Sequence, residues 1–163
     1  MIIKKKNIRT IVITCALLGI IIFSIHSYNV YMRVQRGKAF AMIFMDLDFF
    51  KPVNDIYGHP VGDEVLCNVG KRIINSDYAF RIGGDEFACI IDGNADEKNC
   101  LERIERLQKV ICNPYNIHGH KIKIGVSCGY VLYPSDADTV ESLLKIADSR
   151  MYAEKEKHHA DRR

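Results

Sequence analysis

Four acidic residues occupy positions where a fold has no need of charge. Asp46 and Asp48 close the apolar run Ala41 to Met45, and Asp85 and Glu86 follow Gly83-Gly84 between two further apolar runs, Tyr78 to Ile82 and Phe87 to Ile91. Residues two apart on a strand share a face, so Asp46 and Asp48 are expected to point the same way. Glycine tolerates positive φ, so Gly83-Gly84 predicts a tight hairpin with Asp85 and Glu86 at its tip. If these strand ends are neighbours in one sheet the carboxylates converge, and like charges so close repel unless a cation holds them. Hard oxygen ligands suit Mg²⁺, which keeps few protein ligands and completes its shell with phosphate oxygens, so a nucleoside triphosphate is the fitting guest. On spacing alone, the same acids read equally as solvated turn residues.

The elements that must hold these acids are legible from periodicity. Val61, Val65, Leu66, Val69 and Ile73 recur at helical spacing, and so do Leu101, Ile104, Leu107, Val110 and Ile111 within Glu97 to Ile111. From Ile122 to Leu132 the even positions are Ile, Ile, Val, Cys, Tyr and Leu, which predicts one long half-buried strand. Thr139 to about Lys157 reads as a closing helix with Leu143, Leu144, Ile146, Ala147 and Met151 inward. The soluble texture is that of an α/β domain.

Composition narrows the class. A chain of 163 residues has room for one compact domain, and 48% hydrophobic with 26% charged residues exclude a wholly disordered chain. A net charge of +3, with no dense basic block beyond Lys4-Lys5-Lys6, excludes a nucleic-acid binder. Cys15, Cys67, Cys89, Cys100, Cys112 and Cys128 are too scattered for a zinc site or a disulfide frame, and read as buried thiols in a reducing compartment.

Thr10 to Met32 carries no Asp, Glu, Lys or Arg. As a helix its 23 residues rise about 34 Å, enough to cross a hydrocarbon core. Tyr28 and Tyr31 suit an interfacial girdle and no small-x-small cleavage site follows, so a retained span is expected rather than a signal peptide. The expected layout is a basic tail (1–9), a transmembrane helix (10–32), a linker (33–38), a catalytic domain (39–157) and a tail (158–163). Lys4, Lys5, Lys6 and Arg9 against Arg33, Arg36 and Lys38 lean slightly toward an inside N-terminus.

A resemblance joins these pieces. Arg81-Ile82-Gly83-Gly84-Asp85-Glu86-Phe87 resembles the naming motif of the GGDEF family of diguanylate cyclases, and other family motifs occur in the right order. Asp46-Leu47-Asp48-Phe49-Phe50-Lys51 is similar to Asp-x-Asp-x-Phe-Lys. Asn54-Asp55 and Gly58-His59-Pro60-Val61-Gly62-Asp63 are similar to Asn-Asp and Gly-His-x-x-Gly-Asp. Ser127-Cys128-Gly129, and Ala147-Asp148 with Met151-Tyr152 and Lys155, match the closing strand and helix.

The resemblance implies an α+β fold, a central antiparallel sheet wrapped by helices as in nucleotide cyclases and polymerase palms. It also implies condensation of two GTP to cyclic di-GMP with release of two pyrophosphates, by a homodimer using Mg²⁺, or Mn²⁺ in its place. Asp46, Asp85 and the Leu47 carbonyl would hold the metal. Asn54 and Asp63 would read the guanine edge, with His59 and Phe50 beside the nucleotide. Lys51 and Lys155 would neutralise the triphosphate, and Asp85 or Glu86 would take the proton of the attacking hydroxyl. Because GTP is cytosolic, the implied location is single-pass in the inner (cytoplasmic) membrane with the catalytic domain cytoplasmic, against the slight charge bias.

Three departures stand against the pattern. The family's opening helix and Asp-x-Leu-Thr-Gly-Leu-x-Asn-Arg stretch are not found before the first strand. The segment before the hairpin is short, and its inhibitory Arg-x-x-Asp keeps Asp77 but has Ile74 for the Arg. The basic residue one turn past Lys155 is His159. A catalytically impaired GTP-binding regulatory module, or a truncated fragment of a membrane sensor, is the alternative reading.

Overall fold

Strand β1 (Phe40–Asp46) runs up the middle of the molecule and is apolar on both faces, as a strand covered on both sides must be. The structure, a computed structural model, describes residues 28–74, 78–93 and 95–160, with Tyr78 and His159 as backbone alone. A helix α1 over residues 28–35 leads into β1. After it come α2 (Phe50–Tyr57), α3 (His59–Ile73), β2 (Tyr78–Gly83), β3 (Glu86–Asp92), α4 (Glu97–Ile111), β4 (Tyr115–Ile117), β5 (His120–Ile122), β6 (Ser127–Tyr133) and α5 (Val140–Ala160). Four strands form an antiparallel sheet in the order β2-β3-β1-β6, and β4-β5 make a separate hairpin.

The pleat of β1 sorts the core into two layers. Ala41, Ile43 and Met45 face a cluster with Val65, Val69 and Ile73 of α3 and Ile104, Leu107 and Ile111 of α4. Phe40 and Met42 face the opposite layer, with Val30 of α1 and Leu143 and Ala147 of α5. The fold is thus α+β with an antiparallel sheet between helices, as expected.

β6 is an edge strand whose outward polar groups need partners. The Cys128 N–H donates to the Glu154 carboxylate, Arg150 donates to the Tyr130 carbonyl at 2.8 Å, and the Leu132 N–H donates to Asp136 at 2.8 Å. α5 is therefore fastened along β6 by polar bonds as well as by its apolar face.

Several expectations need correction. The predicted strand Ile122 to Leu132 is two strands, because residues 123–126 leave the ladder and Gly125 instead exchanges main-chain bonds with Asp48 at 3.0 and 3.1 Å. Ile122, Ile124 and Val126 are still buried, so the alternation reported burial and not strand pairing. The hairpin loop is Gly84-Asp85, with Gly83 in β2. Only Gly84 takes a positive φ, +53°, at the first loop position, where glycine is the favoured residue. Cys89, Cys100 and Cys128 are buried thiols, with burial pushing Cys89 up to about 12, whereas Cys67 and Cys112 are exposed.

The front of the domain also differs. Residues 28–38, read as the end of a membrane span and a linker, form α1 and its exit turn, so a helix does stand before the first strand. Val30 is buried against the sheet, Arg33 grips Asp92 with bonds of 2.8 and 2.9 Å, and the Tyr133 hydroxyl donates to the Val34 carbonyl. Val30, inside the uncharged stretch, and Val34, one turn on and past Arg33, make a short apolar stripe that absence of charge alone does not distinguish from the end of a span. Residues 10–27 of the expected span lie outside the described residues. Among the described residues no helix is long and apolar enough to cross a membrane.

Candidate active site

Asp46 is the last residue of β1, and the register sets it opposite Glu86 of β3 and Ser127 of β6. The next residue, Leu47, donates its N–H to the Asp85 carbonyl at 3.2 Å, which ties the β1 end to the β2–β3 loop. Asp46, Asp85 and Glu86 therefore gather at one end of the sheet, as the sequence predicted. Lys155 of α5 reaches in and places Nζ 2.7 Å from Asp46 Oδ1.

The electrostatics follow from crowding. Burial and the neighbouring charges of Asp85 and Asp48 hold Asp46 above the ordinary carboxylate range, against the opposing pull of Lys155. Burial, with Asp46, Asp85 and Asp148 nearby, raises Glu86 as well. For Lys155, burial alone would lower the ammonium, but its bond to Asp46 and the charges of Asp46, Asp85 and Asp48 raise it. Carboxylates held above their usual range by burial and then by one another's charge are a place where a cation relieves strain. Among the described residues, no three His, Cys, Asp or Glu side chains converge tightly enough to hold an ion by themselves. Asp46 and Asp85, joined through the Leu47 main chain, are carboxylates of the kind that could hold an ion such as Mg²⁺, which takes few protein ligands.

The other predicted residues sit on the α2–α3 helix pair. The chain turns from β1 into α2 through Phe49 at φ +63°, a left-handed conformation that costs a bulky residue about 1–3 kcal/mol and is sustained by the packing around it. Lys51 is exposed in the first turn of α2, and His59 and Asp63 are exposed near the start of α3. Asn54 is half-buried on the seam between the helices. Gly62 makes room for it: a Cβ there would lie 1.9 Å from Asn54 Oδ1. Asp63 follows Gly62 directly on α3 and stays exposed.

Phe50 is 7% exposed and packs in the core beneath α2, with its Cζ reaching the same seam, 3.3 Å from where a Gly62 Cβ would stand beside Asn54. Asp48 lies two residues past the end of β1 and, like Asp46, is met by α5. It is 1% exposed and takes the Ser127 hydroxyl at 2.8 Å and His158 Nδ1 at 2.9 Å. The His158 contact was not foreseen, since a histidine near the end of a charged helix carries no signal until α5 is laid on the sheet. Of the inhibitory pair, Ile74 is exposed, Asp77 lies outside the described residues, and so does the His159 side chain.

Fold and site together define an α+β domain that collects acids, a lysine and an amide-bearing helix pair at one end of an antiparallel sheet. A family model described as "Diguanylate cyclase, GGDEF domain" matches residues 23–161, and the chain belongs to this family. It is 39% identical over 131 residues to MucR of Pseudomonas aeruginosa, a bifunctional diguanylate cyclase/cyclic di-GMP phosphodiesterase, covering 78% of this chain and 19% of that protein. It is 36% identical over 134 residues to the diguanylate cyclase TpbB of the same organism, covering 79% and 31%. The crystal structure of the TpbB GGDEF domain superposes with a TM-score of 0.72 at 33% identity, covering 80% of this chain and 84% of that one. The GGDEF domain of DgcB from Caulobacter crescentus, solved in complex with c-di-GMP, gives 0.68 at 25% identity, covering 79% and 77%. The chain thus spans only about a fifth to a third of the length of these curated relatives.

Proposed function

We propose that this domain is a Mg²⁺-dependent diguanylate cyclase that condenses two GTP into cyclic di-GMP with release of two pyrophosphates. The observation that carries the reading is the convergence of Asp46, Asp85 and Glu86 on the Leu47 main chain, with Lys155 alongside. Asn54 and Asp63 bind the guanine edge from the α2–α3 seam, because an amide and a carboxylate together match its donors and acceptors. His59 lies at the start of α3 beside the base. Lys51 and Lys155 lie against the triphosphate, and Asp46, Asp85 and the Leu47 carbonyl hold the cation. The cation, when bound, draws negative charge off the phosphates.

In each step a 3′-oxygen forms a bond to the α-phosphorus of the other GTP, the bond from that phosphorus to the bridging oxygen breaks, and pyrophosphate leaves. Asp85 or Glu86 receives the hydroxyl proton. One copy of the site holds one GTP, so two copies must face each other and the active species is a homodimer. A cyclase assay with GTP and Mg²⁺ tests the reading. GTP binding without cyclic di-GMP would assign the chain instead to a regulatory GTP-binding role.

Guanine affinity has a structural handle. Gly62→Ala should weaken Mg²⁺-dependent binding of a GTP analogue about tenfold, since its methyl evicts the Asn54 amide and leaves polar groups unmatched. The same change adds about 1 kcal/mol of helix propensity, so the melting temperature should hold. Calorimetry and a thermal melt read both, and parent-like binding would contradict the placement of Asn54.

Feedback by product is expected to be absent. An inhibitory site of the Arg-x-x-Asp kind depends on a planar, multiply donating guanidinium, which Ile74 lacks. Arg72 is no substitute: it donates to the carbonyls of Val110, Ile111, Asn113 and Pro114 and stacks 3.7 Å over the Tyr115 ring. Initial rates should stay nearly constant as micromolar cyclic di-GMP is added; noncompetitive inhibition would contradict this.

Membrane attachment is part of the proposal. The uncharged run from Thr10 into α1 supports a single-pass anchor in the inner membrane, and the need for GTP places the catalytic domain in the cytoplasm. A C-terminal reporter fusion active only in the periplasm would overturn this orientation.

A further inference from the structure

One turn beyond Lys155, α5 presents a second contact to the sheet. His158 Nδ1 lies 2.9 Å from Asp48 Oδ2 and 3.1 Å from the Ser127 hydroxyl oxygen. The single Ser127 proton is spent on Asp48, whose two carboxylate oxygens are 2.8 and 3.0 Å away. A carboxylate and a hydroxyl whose proton is already donated can only accept, so Nδ1 carries the proton and His158 donates to Asp48. Nε2 is turned toward Glu154, 3.9 Å from its carboxylate.

These contacts bracket the candidate site from two sides. Lys155 and His158 are three residues apart on α5 and so lie on one face of the helix. Asp46 and Asp48 flank Leu47. The outcome is two parallel bridges between α5 and the end of β1, Lys155 to Asp46 and His158 to Asp48. Asp48 is in turn locked through its main chain to Gly125, on which a Cβ would stand 3.1 Å from the Asp48 side chain. The orientation of the Leu47 carbonyl is therefore set by the Leu47 N–H on Asp85 on one side and the fixed Asp48 on the other.

We propose that His158 is a positioning residue for the cation and triphosphate corner. Through Asp48 it holds the Asp46-Leu47-Asp48 turn, and through α5 it holds the register that brings Lys155 to Asp46. His158 itself touches neither nucleotide nor cation. This role rests on the GTP reading above, and the test separates the two.

The test compares the whole 163-residue chain with His158→Ala and His158→Leu, which remove the donor, and His158→Asn, whose amide nitrogen stands close to the place of Nδ1. Calorimetry measures binding of a non-hydrolysable GTP analogue as Mg²⁺ is varied, and steady-state assays give kcat and KM. Loss of an outer partner of a metal-binding turn is expected to raise the half-saturating Mg²⁺ and the KM about tenfold, with kcat at saturation within about twofold. His158→Asn should recover most of that loss. Whichever donor-less variant melts close to the parent decides the question. Parent-like binding in that variant overturns the proposal, as does equal impairment of the Asn variant or a loss confined to kcat. If the parent itself binds no analogue at any Mg²⁺, the GTP reading falls, and this role falls with it.

Discussion

Asp85→Ala should lower cyclic di-GMP formation by about three orders of magnitude or more while leaving the domain folded. Asp85 sits in the two-residue loop between β2 and β3, and what it gives the fold is its carbonyl, which accepts from Leu47 and survives the substitution. Its carboxylate does the opposite of stabilising, because Asp85 is among the charges that raise Asp46 and Glu86. A carboxyl whose folded pKa lies above its unfolded value opposes folding at pH above that range, where it must ionise among like charges. Removing one of the charges lessens that opposition at neutral pH. In buffer without divalent cations the variant should therefore melt at or slightly above the parent temperature. Chromatography of the product and a melt in chelator check the two halves. Near-parent turnover would show that the acid cluster is not the metal and phosphate site.

How far the sequence reached depended on the kind of signal. β1, the hairpin, α4 and α5 were legible because each buries a regular stripe, and burial is what periodicity measures. The gathering of Asp46, Asp85 and Glu86 was legible because strand ends that pair in one sheet must meet. Asp48, two residues beyond Asp46, meets the same helix, but as a buried partner of Ser127 and His158, which no spacing in the chain announces. Phe50 is named by its place in a motif, and its burial against Gly62 beside Asn54 is a matter of how α2 packs on α3, which the motif does not state. α1 was obscured because absence of charge says nothing about whether lipid or protein covers an apolar residue, and Val30 is covered by the sheet. The bridges from α5 depend on how a helix lies across a sheet, which no local pattern in the chain encodes. The one residue that records that approach is a glycine.

Gly129→Ala should be the most destabilising single change of a small residue in this domain. Gly129 lies in β6 under α5, and a Cβ built on it meets the Ala147 carbonyl oxygen at 2.3 Å, the Met151 nitrogen at 2.3 Å and the Met151 Cα at 2.9 Å. All three are main-chain atoms, so no rotamer change can relieve the contact and the helix must move off the sheet. Overpacking of this kind costs about 1–3 kcal/mol, and more where backbone must shift. Here the shift also loosens the burial of Leu143, Ala147 and Met151 and the polar contacts that Arg150, Glu154, Lys155 and His158 make with the sheet. A loss of about 3 kcal/mol or more is expected, a fall of about 10 °C in melting temperature for a domain of this size. Because Lys155 rides on the displaced helix, GTP affinity should fall in whatever fraction still folds. Gly70→Ala is the control, since it lies inside α3 with nothing within 4 Å of its would-be Cβ and should be neutral or stabilising by up to about 1 kcal/mol. If the two alanine variants melt together, close approach of α5 to β6 is not what holds Lys155 at Asp46.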